Sequence, residues 1–478
     1  MFLEKYILFF CFLSIQLSAT ETYIGMASND MTPPLPLALG GQMHLRIANE
    51  IESPLTASVL LIEHRENGQT ADISVFAAVE LVVVPNALRD DIRNKVKQRF
   101  PHFVTEKIIV SATHTHTAPE VREGRFILPP GVTSVEEVRD YISEKVVEAI
   151  VQAYETRSRG SMTWGLGHGI IAQNRRAVYY DGSAKMYGKT NLPEFKGIEG
   201  YEDHDIDMMF FWNDKDQLIG TSINLPCPAQ EVEGRSKVNA DFWYPIRQQL
   251  KEKWGENLVV MGWIGAAGDQ SPHLMYNKAS ENRMLKLRNI SRLEELARRV
   301  VTSVVDVYDV VKDDRYRDVV LQHEVKTIGL PRRLVTVDAV NEAKQAIAKL
   351  EALSEEEKLK NYRLMKWHGA LLDRYEKQKI NPHQLYETEI HIIRLGDVVI
   401  CSNQFELFTE YGIRMKARSK ALQTFIIQLA GPGTYLPTVK AVQGGHYSAI
   451  IQSNEVGPEA GDILVEETLQ SINSFWNK

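Results

Sequence analysis

The sequence predicts one large mixed α/β domain, and three observations predict it. Short β-branched runs alternate with longer segments of helical charge spacing along the whole chain. No Pro/Ser linker, internal repeat or low-complexity tract separates one part from another. The 478 residues are 44% hydrophobic and 24% charged, an ordinary globular composition that excludes disordered, collagenous and coiled-coil chains. With 55 basic against 62 acidic residues the net charge is -7, so the basic face needed to bind a nucleic acid backbone is not expected.

The elements follow in order. Residues 73–84 form a β-branched run, 86–100 carry helical charge spacing, and 107–112 are a short apolar strand. Ser134-Val-Glu-Glu137 is a capping box, with hydroxyl and carboxylate spaced to satisfy each other's backbone N–H, and it opens a helix to about Thr156. Strands are expected at 162–166, 207–212 and 218–225, the last two joined by a polar Asn-Asp-Lys-Asp turn. A helix at 241–254 leads into a strand at 257–263. Long helices are predicted at 281–311 and 337–378, the second strongly charged and solvent-facing, with 335–380 as a helical side segment. Strands return at 387–395, 398–402 and 424–429.

Residues 1–19 read as a secretory signal: an apolar run from Tyr6 to Leu17, too short for a comfortable span, ends at Ser18-Ala19. Glu4 offsets Lys5, so a retained anchor is the competing reading. Residues 20–478 are then expected to form the one large domain of a secreted or periplasmic protein, with no second run long enough to cross a membrane. After cleavage two cysteines remain, Cys227 and Cys401, which either pair or stay free. The oligomeric state is left open.

Four segments can carry chemistry. Lys107 to Pro119 delivers His114 and His116 from an apolar strand at i and i+2, which puts both imidazoles on one face for metal binding or proton transfer, or leaves two loop histidines bonded to backbone. Trp263 to Pro272 runs a strand into small residues, then Asp269 and Ser271; no Gly-x-Ser-x-Gly elbow accompanies the serine. Ser402 to Lys416 places Glu406 where a strand gives way to a helix, as a hard metal ligand or a helix cap. Gly433 to Thr438 and Gln443 to Tyr447 combine glycines with Tyr435, His446 and Tyr447 in a site loop or an ordinary surface turn.

Taken in this order, from Gln42-Met-His-Leu-Arg46 and Ser53-Pro-Leu55 through Tyr447, these segments resemble the catalytic domain of neutral, non-lysosomal ceramidases. That resemblance implies a zinc-dependent amidohydrolase acting on the N-acyl amide of ceramide or a related lipid through zinc-activated hydroxide. It implies His114, Glu406 and Tyr435 as zinc ligands and His116 as an acid–base or oxyanion group. Arg175 of Asn174-Arg175, Ser271 and Tyr447 take the places of the remaining active-site groups.

Three departures stand out. The family's other histidine ligand falls at Cys227, whose thiolate is a competent zinc donor. Thr117-Ala118 replaces Ser-Gly, and Glu120 follows the proline where the family has glycines, which changes the pocket wall. The chain ends about thirty residues after Tyr447, so the family's C-terminal β-sandwich is expected to be missing. These departures bear on ceramide as substrate more than on zinc hydrolysis. The alternatives are a zinc hydrolase of another amide or ester, on a glycan or small lipid, and a non-catalytic lipid- or glycan-binding homologue.

Overall fold

The computed structural model describes residues 20–477, so the signal-peptide reading of 1–19 lies outside the described residues. Three larger sheets organise the mixed α/β chain. The first orders Ile108–Ala112, Gln69–Val79, Thr56–Glu66, Thr20–Asp30 and Ser158–Arg159. The second orders Val259–Ile264, Leu218–Leu225, Asp205–Trp212 and Ser161–His168; the third orders Leu321–Pro331, Leu385–Leu395, Val398–Ser402 and Gln423–Ile427.

Strand pleating explains how three sheets share one interior. Successive side chains leave a strand on opposite faces, and these strands are apolar on both. In Gln69–Val79, Val75 and Ala77 face outward to helices while Phe76 and Ala78 face the centre. Met208 and Phe210 point out while Met209 and Phe211 point in, and Val399 and Cys401 point out while Val398 and Ile400 point in. The inward sets from all three sheets meet in a central cluster that includes Trp164, Met261, Trp263 and Phe425. Each such fully buried side chain contributes about 1.5–3 kcal/mol.

Helices close the outer faces. Asn86–Arg99 buries Leu88, Ile92 and Val96 at helical spacing, and Val135–Thr156, opened by the Ser134/Glu137 capping box, joins it over the first sheet. Trp243–Trp254 and Arg292–Val311 cover the second sheet; Thr409–Arg418 and Pro458–Ser474 cover the third.

Two long helices of the sequence reading are broken. Residues 281–311 split into Lys278–Arg288 and Arg292–Val311, because Asn289 is left-handed at φ 53 and Ser291 starts a new capping box with Glu294. Residues 337–378 become Val337–Glu351, Glu355–Lys360 and Tyr362–Ile380, a charged side lobe with a small core around Ala343 and Leu371. The long strands Thr20–Asp30, Thr56–Glu66 and Leu321–Pro331 were not anticipated: each carries polar residues that mask the period-2 signal. Among the described residues no helix is long and apolar enough to cross a membrane.

Candidate active site

Each of the three sheets contains one parallel pair, Gln69–Val79 with Ile108–Ala112, Leu218–Leu225 with Val259–Ile264, and Val398–Ser402 with Gln423–Ile427. The C-terminal ends of these pairs converge. Ala112 N–H donates to Leu429 O at 3.2 Å, Ala229 N–H to Thr113 O at 3.0 Å, and Gln428 N–H to Ile264 O at 2.9 Å. The loops leaving those ends therefore share one volume, the position at which α/β sheets present ligand sites.

His114 and His116 meet there, by a route other than strand alternation. The strand ends at Ala112, and His114 sits in the left-handed region at φ 63, a conformation costing about 1–3 kcal/mol in a non-glycine residue. That turn brings His114 Nε2 to 3.2 Å from His116 Nε2. Gly41, at φ +91, backs His116 so closely that a Cβ on it would lie 2.5 Å from the imidazole Cγ.

The hydrogen bonds assign the protons. His114 Nδ1 lies 2.7 Å from Val82 O, and a carbonyl only accepts, so Nδ1 carries a hydrogen and Nε2 is the nitrogen turned to the cluster. Gln230 Oε1 accepts from Arg175 at 3.1 Å, so its Nε2 donates to His116 Nε2 at 2.8 Å. His116 Nδ1–H then faces Glu233 Oε2 at 3.0 Å. Burial pushes His116 down to about 4, with His114 adding to the effect and Glu233 opposing it. His116 is therefore neutral near pH 7.

Glu406 and Tyr435 are placed side by side by a two-residue parallel pairing, Glu406 opposite Tyr435 and Leu407 opposite Leu436. Glu406 Oε2 lies 3.4 Å from His114 Nε2 and 3.9 Å from Arg175. Burial opposes the carboxylate's charge, but His114 and Arg175 outweigh it and hold the group below its usual range. Arg175 is buried and spends its N–H groups on Gly268 O at 2.8 Å, Tyr187 Oη and Gln230 Oε1 at 3.1 Å each, and Tyr435 Oη at 3.3 Å. Its Nε is left without a partner. Tyr187 donates to Ser271 Oγ at 3.0 Å, and the same oxygen accepts from His273 N–H at 3.2 Å. Ser271 is thus bonded to a phenol and a backbone amide, not to a base. Tyr447 stands edge-on to Tyr435, ring centres 5.8 Å apart. Asn174 turns elsewhere, to Asp269 at 2.9 Å.

Cys227 is not brought to this cluster. The chain turns at Pro226-Cys227-Pro228, and the thiol packs against the carbonyls of Pro228 at 3.6 Å and Ile171 at 3.9 Å within the core under the second sheet. Burial, reinforced by Asp241 and Glu231, pushes the thiol well above its ordinary range. Cys401 lies in the core of the third sheet and both cysteines are free, so they do not pair.

The donors that remain are His114 Nε2, Glu406 and Tyr435. Among the described residues no group of three or more His, Cys, Asp or Glu is arranged to hold a metal, so a metal held here would have one histidine, one carboxylate and one tyrosine as its protein donors. The fit rests on the donor chemistry: with Nδ1–H held by Val82 O, His114 Nε2 faces Glu406 Oε2 at 3.4 Å, a pair that a proton or a metal cation between them would satisfy. The Nδ1–H bond to Val82 O is the orienting contact that metal-bound imidazoles make.

Three groups were missed from the sequence. Glu233 bridges His116 and His273 Nε2, the latter at 3.2 Å, and His273 Nδ1 lies 3.8 Å from Glu231. Burial works against the His273 cation, but Glu233 and Glu231 raise it overall. A cavity of about 470 Å³ lined by Tyr187, Glu231, Glu233, His273 and Arg292 opens beside this chain of groups. The local signal was the carboxylate pair Glu231 and Glu233 a few residues after a buried strand.

No protein-family model and no curated protein sequence matches this chain. Solved structures do. The neutral ceramidase of Pseudomonas aeruginosa superposes with a TM-score of 0.68 at 13% identity, over 96% of this chain and 75% of that one. A ceramidase complexed with C2 superposes with a TM-score of 0.66 at 12% identity, over 96% of this chain and 76% of that one. The chain has the fold of the neutral ceramidase structures.

Proposed function

We propose that this chain is an exported, zinc-dependent hydrolase that cleaves an N-acyl amide of the ceramide kind. The observation that carries the reading is the facing pair of His114 Nε2 and Glu406, with Tyr435 and Arg175 against the same carboxylate, at the convergent strand ends of a ceramidase fold. His114, Glu406 and Tyr435 would hold the metal. Bound zinc supplies a Lewis acid and brings the pKa of water towards 7.

The protein's own groups do the rest. Hydrolysis adds hydroxyl to the acyl carbon and hydrogen to the leaving nitrogen as the C–N bond breaks. His116 enters neutral, its Nε2 exchanges the Gln230 N–H for the proton of the attacking water, and Glu233 behind Nδ1 stabilises the imidazolium that forms. The same proton then passes to the departing nitrogen. Arg175, desolvated and with its Nε–H free, stabilises the negative oxygen that develops on the carbonyl. Ser271 and Tyr187 hold Arg175 and the substrate in register, and His273 connects Glu233 to the open cavity.

The test is release of the free amine from a short-chain ceramide and a panel of N-acyl amides, before chelation, after chelation and after zinc is restored. Release that disappears with chelation, returns with zinc and is absent in Glu406→Gln is the expected result. Release by Glu406→Gln at the wild-type rate, or no release from any amide by zinc-loaded protein, overturns the reading.

A further inference from the structure

The wall beside Tyr447 holds more positive than negative charge among the described residues. Glu120 is buried and takes Arg122 in a two-pronged pair, Nε at 2.7 Å and a terminal nitrogen at 2.8 Å, while also accepting the backbone N–H groups of residues 121 and 122. Arg125 and Arg363 converge on the same place. The side lobe delivers Arg363 from the first turn of Tyr362–Ile380, where it lies over the Phe126 ring at 5.8 Å and donates to Gln42 O. One turn on, Trp367 stands 6.1 Å from the Tyr447 ring, so lobe and site loop meet over the candidate centre.

Three guanidinium cations thus share one carboxylate, a surplus of two positive charges. The Nε atoms of Arg125 and Arg363 are both buried without a partner. Burial and the cations of Arg122 and Arg363 drive Arg125 down to about 9, and Glu120 offsets this only in part. Arg122 and Arg363 both act electrostatically on groups of the centre: Glu406 and Tyr447 on the former, Tyr447 and Tyr435 on the latter. Arg122 keeps 24% of its side-chain surface open, so the cluster is reachable from solvent. Buried like charges with vacant donors are costly unless an anion joins them, and guanidinium forks match oxyanions in shape.

We infer that the missing anion belongs to the substrate: beside its scissile amide the substrate carries a carboxylate, sulfate or phosphate group, which Arg122, Arg125 and Arg363 bind. This rests on the hydrolase reading above and narrows it to anionic amides. Neutral ceramide leaves the cluster unpaired.

The experiment compares N-dodecanoylglycine with N-dodecanoylglycinamide, which differ in one charge, using the full zinc-loaded chain. Binding of inorganic phosphate is followed in parallel by calorimetry. The expected result is a kcat/KM at least tenfold higher for the anionic amide, a preference lost in Arg125→Gln and Arg363→Gln, with phosphate binding weakened in both. Arg125→Gln gives up no bond of Nε, so it tests the charge without unpicking the loop. Equal kcat/KM for the two amides in the wild type, or a preference that survives both substitutions, overturns the inference and leaves the hydrolase reading intact. Should neither amide be cleaved, phosphate binding lost in both variants supports the anion site and places the failure with the hydrolase reading. Absence of phosphate binding to the wild type overturns the anion site itself.

Discussion

Replacing Glu233 by glutamine isolates the group behind His116. Glu233 Oε2 lies 3.0 Å from His116 Nδ1 and its Oε1 lies 3.2 Å from His273 Nε2, and these two imidazoles outweigh burial and hold its carboxyl below the ordinary range. Only the first contact strengthens during reaction, as His116 acquires its proton. A hydrogen bond to a charged group contributes about 1.5–3 kcal/mol, and at about 1.36 kcal/mol per tenfold the loss is roughly 13- to 160-fold in rate. Because the interaction belongs to the transition state, kcat and kcat/KM are expected to fall together while KM stays. The pH dependence follows from the sign of the shift. A carboxyl depressed on folding contributes above its unfolded pKa of about 4.3 and loses that contribution only as pH falls through the folded value. The penalty of Glu233→Gln is therefore the same at pH 6 and pH 9. Steady-state kinetics over that range, with melting temperatures recorded alongside, provide the readout. An unchanged kcat, or a change confined to KM, refutes the assignment of Glu233 to His116's proton.

Three further outcomes are expected. Glu231 is raised to about 7, burial being the main cause; a raised carboxyl favours the folded state fully below its unfolded pKa and loses that stabilisation as pH rises through 7. Glu231→Gln should thus melt a few degrees higher than wild type at pH 8, from a gain of at most about 3 kcal/mol, and match it near pH 4.5; equal melting at pH 8 contradicts this. Cys227→Ala should retain the wild-type zinc content by elemental analysis, whereas Glu406→Gln should lose it; loss of zinc in Cys227→Ala would return the thiol to the ligand set. Arg176 is buried, grips Glu199 through contacts at 2.5 and 3.0 Å, and bonds Ala441 O, Gly445 O and Ser448, so it fastens the loop that carries Tyr447. Arg176→Ala leaves Glu199 unpaired and should cost about 3–5 kcal/mol by urea unfolding; a loss under 1 kcal/mol would show that the pair is not holding the loop.

Much of the candidate centre was legible. His114, His116, Glu406, Tyr435 and Tyr447 lie in segments that strand ends and glycine turns single out, whereas Arg175 enters only through the ceramidase resemblance. Cys227 was legible as a position and misleading as a ligand. Two prolines flank it, and the direction they impose on its side chain depends on the core beneath, which no linear pattern encodes.

By itself the sequence determined the alternation of elements, the capping box at Ser134, and the short apolar strands. These depend on neighbours within a few residues, where propensity and periodicity act. Tertiary structure alone decided that three strand ends share one volume. It also decided that Gln230 and Glu233 stand behind His116, and that Arg125 meets Arg363 across some 240 residues of chain. Those contacts join loops through space, and charge or hydrogen-bond complementarity between distant segments leaves no periodic trace in either one.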